Sequence, residues 1–124
     1  MRVFVVKDFR RFQRKERIED EALCEAIARA ERGLIDADLG GGLIKQRVAR
    51  QGQGRSGGYR TIIAYQRGDR CVFLRGFAKS RQANIGSDDQ LRLTNYGRTL
   101  IALDEGRLGD MLEDGELTEL DWTD

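Results

Sequence analysis

The feature that most constrains the fold is a basic, glycine-containing segment that runs from Lys45 to Arg81. Ten basic residues and a single acid, Asp69, fall within it, whereas the whole chain carries a net charge of only +1. In its first part Lys45 and Arg47 alternate with apolar and amide residues, and a period of two is typical of a strand with one buried face. The segment therefore predicts a sheet with one cationic face, which would bind a polyanion, most readily nucleic acid.

The rest of the pattern predicts a single α+β domain. Strands are expected over residues 2–6, 43–49, 59–66 and 71–78, and helices over residues 7–17, from Asp20 to near Gly33, and from Ser87 to Leu103. Residues 36–42 read as a glycine-bearing connection. This order predicts a small antiparallel β-sheet with two N-terminal helices packed on one face and a C-terminal helix.

The last twenty residues have the opposite charge. Residues 105–124 contain eight acids and one base, and they are interpreted as an acidic C-terminal tail of the domain formed by residues 1–104. A short helix and an edge strand near residues 116–120 are expected within it. The tail could fold back over the basic face or remain solvated, and the solvated state is favoured because runs of charge usually face water.

Several classes of protein are excluded by composition. The chain has no histidine, and its two cysteines, Cys24 and Cys71, lack metal-ligand spacing, so we expect free buried thiols and neither a metal nor another cofactor. No apolar run approaches the roughly 20 residues that a membrane-spanning helix needs. The N-terminus lacks the pattern of a signal peptide, and a cytoplasmic location is expected.

The residue types also limit the chemistry. Without histidine there is no usual serine or cysteine triad. Apart from Asp69, the acids lie outside the basic segment, away from where a two-metal nuclease would need them. A nuclease built from these residues would be metal-independent, with the 2′-hydroxyl of RNA attacking the adjacent phosphate. Arginines would stabilise the extra charge, and a lysine could move protons if a dense arginine cluster lowered its pKa.

The glycine-rich stretch over residues 50–60 admits two interpretations. Its glycines and arginines could bring backbone and guanidinium groups close to a phosphate, or the stretch could be a flexible hairpin connection. It is not a Walker loop, because no Gly-Lys-Ser/Thr follows.

Two segments, GGLIKQRVARQGQGRSGGYRTIIAY and VFLRGFAKSRQANI, resemble the RelE/HigB group of bacterial type II toxins, most closely the HigB-like branch. The resemblance covers about residues 2–104. It implies a RelE-like fold, with two N-terminal helices behind an antiparallel sheet. It also implies a ribosome-dependent endoribonuclease that cuts messenger RNA in the decoding site, and a cognate antitoxin that neutralises it.

The resemblance assigns roles to individual residues. It implies that Lys45 and Lys79 transfer protons and that Arg60 stabilises the scissile phosphate. The residues expected to bind RNA are Arg47, Arg50, Arg55, Tyr59 and Arg81. Many relatives carry a late tyrosine or histidine; here Arg75 holds the final-strand position and Tyr96 reads as helix packing, so the general base stays open.

Two other functions fit the same pattern. A gyrase-directed toxin of the ParE branch would share the fold without needing a cationic catalytic sheet. A non-catalytic module that binds RNA or DNA would use the same basic face, with affinity that falls steeply as salt rises.

Overall fold

The structure is a computed structural model that describes residues 1–50, 54–78 and 85–122, with only the backbone described for residues 54–57. The strands are β1 (Arg2–Val6), β2 (Ala37–Gly40), β3 (Leu43–Arg50), β4 (Gly54–Gln66), β5 (Arg70–Ala78) and β6 (Leu117–Leu120). The helices are α1 (Lys7–Glu16), α2 (Asp20–Glu31), α3 (Ser87–Ile101) and α4 (Glu105–Glu113).

The described strands form one six-stranded sheet in the order β2-β3-β4-β5-β1-β6. Strand β1 runs parallel to β5, and every other neighbouring pair is antiparallel. The predicted α+β class is confirmed, but the sheet is mixed and not purely antiparallel as expected, because β1 pairs with β5 in the parallel sense. The expected connection over residues 36–42 contains the short strand β2, and β4 begins at Gly54 rather than Tyr59.

Helices α1 and α2 cover one face of the sheet, here called the back face. Phe9 of α1 packs against Phe73 of β5 with ring centroids 5.1 Å apart. Gln46 of β3 is fully buried, and its side-chain amide donates to the carbonyl of Ala26 in α2 at 2.9 Å. The predicted packing of two N-terminal helices on one face is therefore confirmed.

Helix α3 packs on the opposite face, here called the front face. A Cβ atom added to Gly97 would lie 2.9 Å from the Cβ atom of Ala64, so helix and sheet approach closely there. Ala64 pairs with Leu43, and residues two and four further along β3 are Lys45 and Arg47. Because strand side chains alternate between faces, α3 shares the front face with the predicted cationic residues.

The acidic tail is part of the sheet as far as the structure describes it. Strand β6 pairs with β1 from Val3↔Leu120 to Val6↔Leu117, and both leucines are buried. Strands β5 and β1 separate β6 from β4, so the tail strand lies about 14 Å from β4. The tail strand therefore lies away from β3 and β4, while Glu105 at the start of the tail reaches Arg70 of β5 at 3.9 Å.

The two strands of the basic hairpin approach closely at Gly58. A Cβ atom there would lie 2.2 Å from the backbone oxygen of Val48 and 2.8 Å from the backbone nitrogen of Arg50. The register of the β3–β4 pair shifts between Val48 and Arg50, where a bulge replaces regular pairing. Glycine is needed at this position because a side chain would collide with backbone atoms, which cannot rotate away.

We predict that Gly58→Ala lowers the free energy of unfolding by about 1–3 kcal/mol, since the neighbouring strand must move to admit the methyl group. The matched control is Gly109→Ala in α4, where nothing lies within 4 Å of the added carbon. That change should raise stability by up to about 1 kcal/mol through the helix propensity of alanine. Urea unfolding of both variants measures the difference, and an equal effect would contradict the close approach at Gly58.

Candidate nucleic-acid interface

Two arginines face each other across the central hairpin. Arg47 of β3 pairs directly with Arg60 of β4, so both side chains leave the same, front, face of the sheet. Arg47 is exposed, whereas Arg60 is only 8% exposed. The site therefore combines one exposed and one largely buried arginine.

The backbone hydrogen bonds of Arg47 define how close the two residues are. Its N–H donates to Asp36 Oδ2 at 2.7 Å, and its carbonyl accepts from Arg29 Nη2. Both groups thus point away from β4, which makes Arg47 and Arg60 a non-hydrogen-bonded pair. In such pairs the Cα atoms are about 4.5 Å apart and the side chains are closest, so like charges repel.

This environment lowers the pKa of Arg60. Burial lowers it from the usual value, the neighbouring charge of Arg47 lowers it further, and Asp36 acts in the opposite direction. Burial removes hydration from the charged form of Arg60, and Arg47 repels that charge, whereas Asp36 attracts it. A bound anion would supply the negative charge that this pair of arginines attracts.

Lys45 extends the cationic surface along the same face. It lies two residues before Arg47, so the two side chains leave β3 about 7 Å apart. Lys45 is half-buried. Across the sheet, Ile62 lies between Lys45 and Arg75. Arg75 pairs with Asp89 of α3 at 3.6 Å. Lys45, Arg47 and Arg60 are therefore the predicted residues that the described structure brings together.

Tyr59 and Arg50 lie on the other side of the sheet. The Tyr59 ring is buried against Phe12 in an edge-to-face contact, with ring centroids 5.5 Å apart. Burial, followed by Glu16, raises the pKa of Tyr59. The Arg50 guanidinium carbon lies 5.8 Å from the centre of the Tyr59 ring. The structure does not bring these two residues together with Arg47 and Arg60.

Three further predicted residues cannot be placed. The backbone of Arg55 belongs to β4, but its side chain lies outside the described part of the structure. Lys79 and Arg81 lie outside the described residues altogether. Their predicted roles therefore stay predictions.

Tyr96 lies in a groove between α1 and α3 that has a volume of about 250 Å³ and also contains Asp8 and Glu116. Burial and these two acids raise the pKa of Tyr96, which makes its phenolate harder to form. Tyr96 is 39% exposed, so the sequence interpretation of simple packing describes its environment only in part.

Two residues at the edge of this site were not predicted from the sequence. Asp36 falls in the segment expected to be a connection, and Arg29 falls within the helix expected to begin at Asp20. In the structure Arg29 binds Glu25 at 3.0 Å and also Asp36 at 3.2 Å. The available signal was the position of Arg29 beside Ala30 and three residues after Ala26, both of which are buried on the core-facing side of α2.

No group of three or more His, Cys, Asp or Glu side chains in residues 1–50, 54–78 and 85–122 is arranged to hold a metal ion. None of the helices described is both long and apolar enough to cross a membrane.

The fold and the site define a class of small α+β proteins that present paired cations on one face of a sheet. A sequence model described as the RelE toxin of the RelE/RelB toxin–antitoxin system matches residues 1–120, and the chain belongs to this family. It is therefore a toxin of a toxin–antitoxin system, and the family implies an antitoxin partner. The match extends beyond the expected residue 104 and includes α4 and β6. No curated protein and no solved structure matches the chain.

We predict that Arg47→Gln raises the free energy of unfolding by about 0.2–1 kcal/mol at low salt, because it removes the like charge opposite Arg60. The gain should shrink as salt screens the repulsion. The control is Arg107→Gln, which removes an exposed arginine from the acidic tail and should not stabilise. Thermal unfolding over a salt series measures both, and a loss of stability in Arg47→Gln at every salt concentration would contradict the repulsion.

Proposed function

We propose that the protein is a ribosome-dependent endoribonuclease that cleaves messenger RNA and so represses translation. The observation that carries the proposal is the directly opposed pair of Arg47 and Arg60 on the front face. Two cations held at the closest spacing that a sheet allows match a phosphate, whose oxygens can accept hydrogen bonds from both. The membership of the chain in the RelE toxin family supports the same function.

The proposed reaction is a transesterification within the RNA. The 2′-oxygen attacks the adjacent phosphorus, forming a new P–O2′ bond while the P–O5′ bond breaks. A base takes the proton of the 2′-hydroxyl, and an acid gives a proton to the departing 5′-oxygen. The products are a 2′,3′-cyclic phosphate and a 5′-hydroxyl, and no co-reactant is consumed.

Arg60 has the central role in this proposal, which is to stabilise the charge that develops on the scissile phosphate. It is largely buried, and a fixed charge acts more strongly where water is excluded. Arg47 binds the same phosphate or its neighbour from the solvent side. Lys45, on the same face, transfers a proton, and Lys79 is the second candidate for that task.

RNA backbone beyond the scissile bond would be held by the remaining basic residues. Arg50, Arg55 and Arg81 are proposed for this role, which needs only charge and reach. Tyr59 is left out of the proposed site, because its ring is buried beneath the opposite face of the sheet.

What this surface offers to RNA supports a dependence on the ribosome. Arginines and lysines bind phosphates, which positions a strand but does not orient its bases. Among the described residues of the front face, Phe77 pairs with Arg60, yet it is only 7% exposed and offers little surface for stacking. A messenger already ordered by the decoding site would arrive with its sugar and phosphate aligned, which can supply much of the rate.

The test is primer extension on a reporter messenger in a purified translation system. We predict cuts that appear only with ribosomes and that fall by about 100-fold or more in Arg60→Gln, in line with the loss of one charge-stabilising group. Arg107→Gln, an exposed arginine of α4, is the matched control and should cut like the original protein.

Other outcomes identify the alternatives. An absence of cuts from folded protein, together with inhibition of DNA gyrase, would replace the proposal with a gyrase-directed toxin. Salt-sensitive RNA binding without cleavage under any of these conditions would indicate a non-catalytic binding module.

A further inference from the structure

The backbone of Arg47 lies at a sheet edge that none of the described strands covers. Strand β2 begins at Ala37, which pairs with Lys45, so β3 extends past its neighbour on that side. The outward N–H and carbonyl of Arg47 would therefore be left to water. A strand edge in this state is the part of a sheet that most readily frays.

Two side chains from other elements occupy this edge instead. Asp36 accepts a hydrogen bond from the N–H of Arg47 at 2.7 Å, and Arg29 donates to the Arg47 carbonyl. Arg29 and Asp36 also bind each other at 3.2 Å. The result is a closed ring that holds both polar backbone groups of Arg47, called here the backbone clamp.

Both members of the clamp are themselves fixed. The Asp36 N–H donates to Gln46 Oε1 at 2.6 Å, and Gln46 is anchored in turn to the Ala26 carbonyl of α2. The side chain of Arg29 is only 5% exposed, and its guanidinium group is held between the carboxylates of Glu25 and Asp36. The clamp thus ties β3 to helix α2 at the residue that opposes Arg60.

We propose that the Arg29–Asp36 pair is the positioning element of the cationic site, because it fixes the main chain of Arg47 and so keeps its guanidinium group opposed to Arg60 on the front face. This inference rests on the proposed function and deepens it. Neither Arg29 nor Asp36 needs to touch RNA. Asp36 also supplies the negative charge that favours protonated Arg60 against its burial and against Arg47.

Glu25 offers a matched control. It is the second acid bound to Arg29, through Oε1 at 3.0 Å, and its side chain is half exposed. Asp36→Asn and Glu25→Gln each remove one carboxylate charge from Arg29 with little change in shape. Asp36→Asn alone alters a group that contacts the backbone of Arg47.

The experiment measures cleavage of messenger on programmed ribosomes at saturating and limiting substrate, with the folded fraction of each variant determined by circular dichroism. Asp36→Asn should lower kcat by about 10-fold to 100-fold with KM changed less than about 3-fold, since a misplaced group affects the reaction more than binding. Glu25→Gln should stay within about 2-fold of the original kcat. Equal activities of the two variants per folded molecule would overturn the inference while leaving the proposed function intact.

A second measurement does not depend on the variants folding or on cleavage. Hydrogen exchange of the Arg47 amide in the original protein should be slowed by about 100-fold or more relative to an unstructured chain, although no strand in the described part of the chain covers that edge. Exchange at the unstructured rate would overturn the clamp. If the original protein does not cleave, the proposed function fails, and the clamp is then decided by this exchange rate.

Discussion

Two like charges face each other across β3 and β4, and the protein must hold them there against their repulsion. Arg47 and Arg60 form a non-hydrogen-bonded pair, the arrangement in which side chains approach most closely. Burial of Arg60 increases the cost, because its charge loses hydration. Asp36 offsets part of this cost from the edge of the sheet, and a bound phosphate would offset more. The free protein thus loses stability at this site, and a bound phosphate would restore it.

The hairpin can carry this pair because neighbouring residues of β3 face opposite ways. Gln46 turns into the core and is satisfied by α2 and by the segment that leads into β2, whereas Arg47 turns to the front. A shift of one residue in register would bury Arg47 and expose Gln46. The amide network of Gln46 therefore protects the register on which the cationic face depends.

Much of the fold could be predicted from the sequence because its periodicity is local. Strands β1, β3 and β5 and helices α1, α2 and α3 begin and end within a few residues of the expected positions, since each carries its own apolar pattern. The parallel pairing of β1 with β5 could not be predicted, because it joins segments almost seventy residues apart. Strand β2 was missed because it has only four residues, too few for their alternation to be told from that of a connection, and it ends on glycine.

Local patterns also predicted part of the candidate site, whereas contacts between distant elements were missed. Alternation on β3 placed Lys45 and Arg47 on one face, and the structure puts Arg60 beside them. The opposite placement of Tyr59 follows from the same alternation, because Tyr59 and Arg60 are neighbours on one strand. Its prediction as an RNA-binding residue beside Arg60 was therefore inconsistent with the strand pattern. Arg29 and Asp36 were missed as site residues, since their shared contact with the Arg47 backbone exists only after α2 packs behind the sheet.

The most direct test of the central claim is a cryo-electron microscopy structure of the protein on a ribosome. The ribosome would be programmed with messenger whose reactive 2′-hydroxyl is methylated, so that it binds without being cut. The account predicts the scissile phosphate on the front face, with an oxygen about 3 Å from a guanidinium nitrogen of both Arg47 and Arg60. Messenger bound elsewhere on the protein, with Arg60 making no contact to a phosphate, would contradict it.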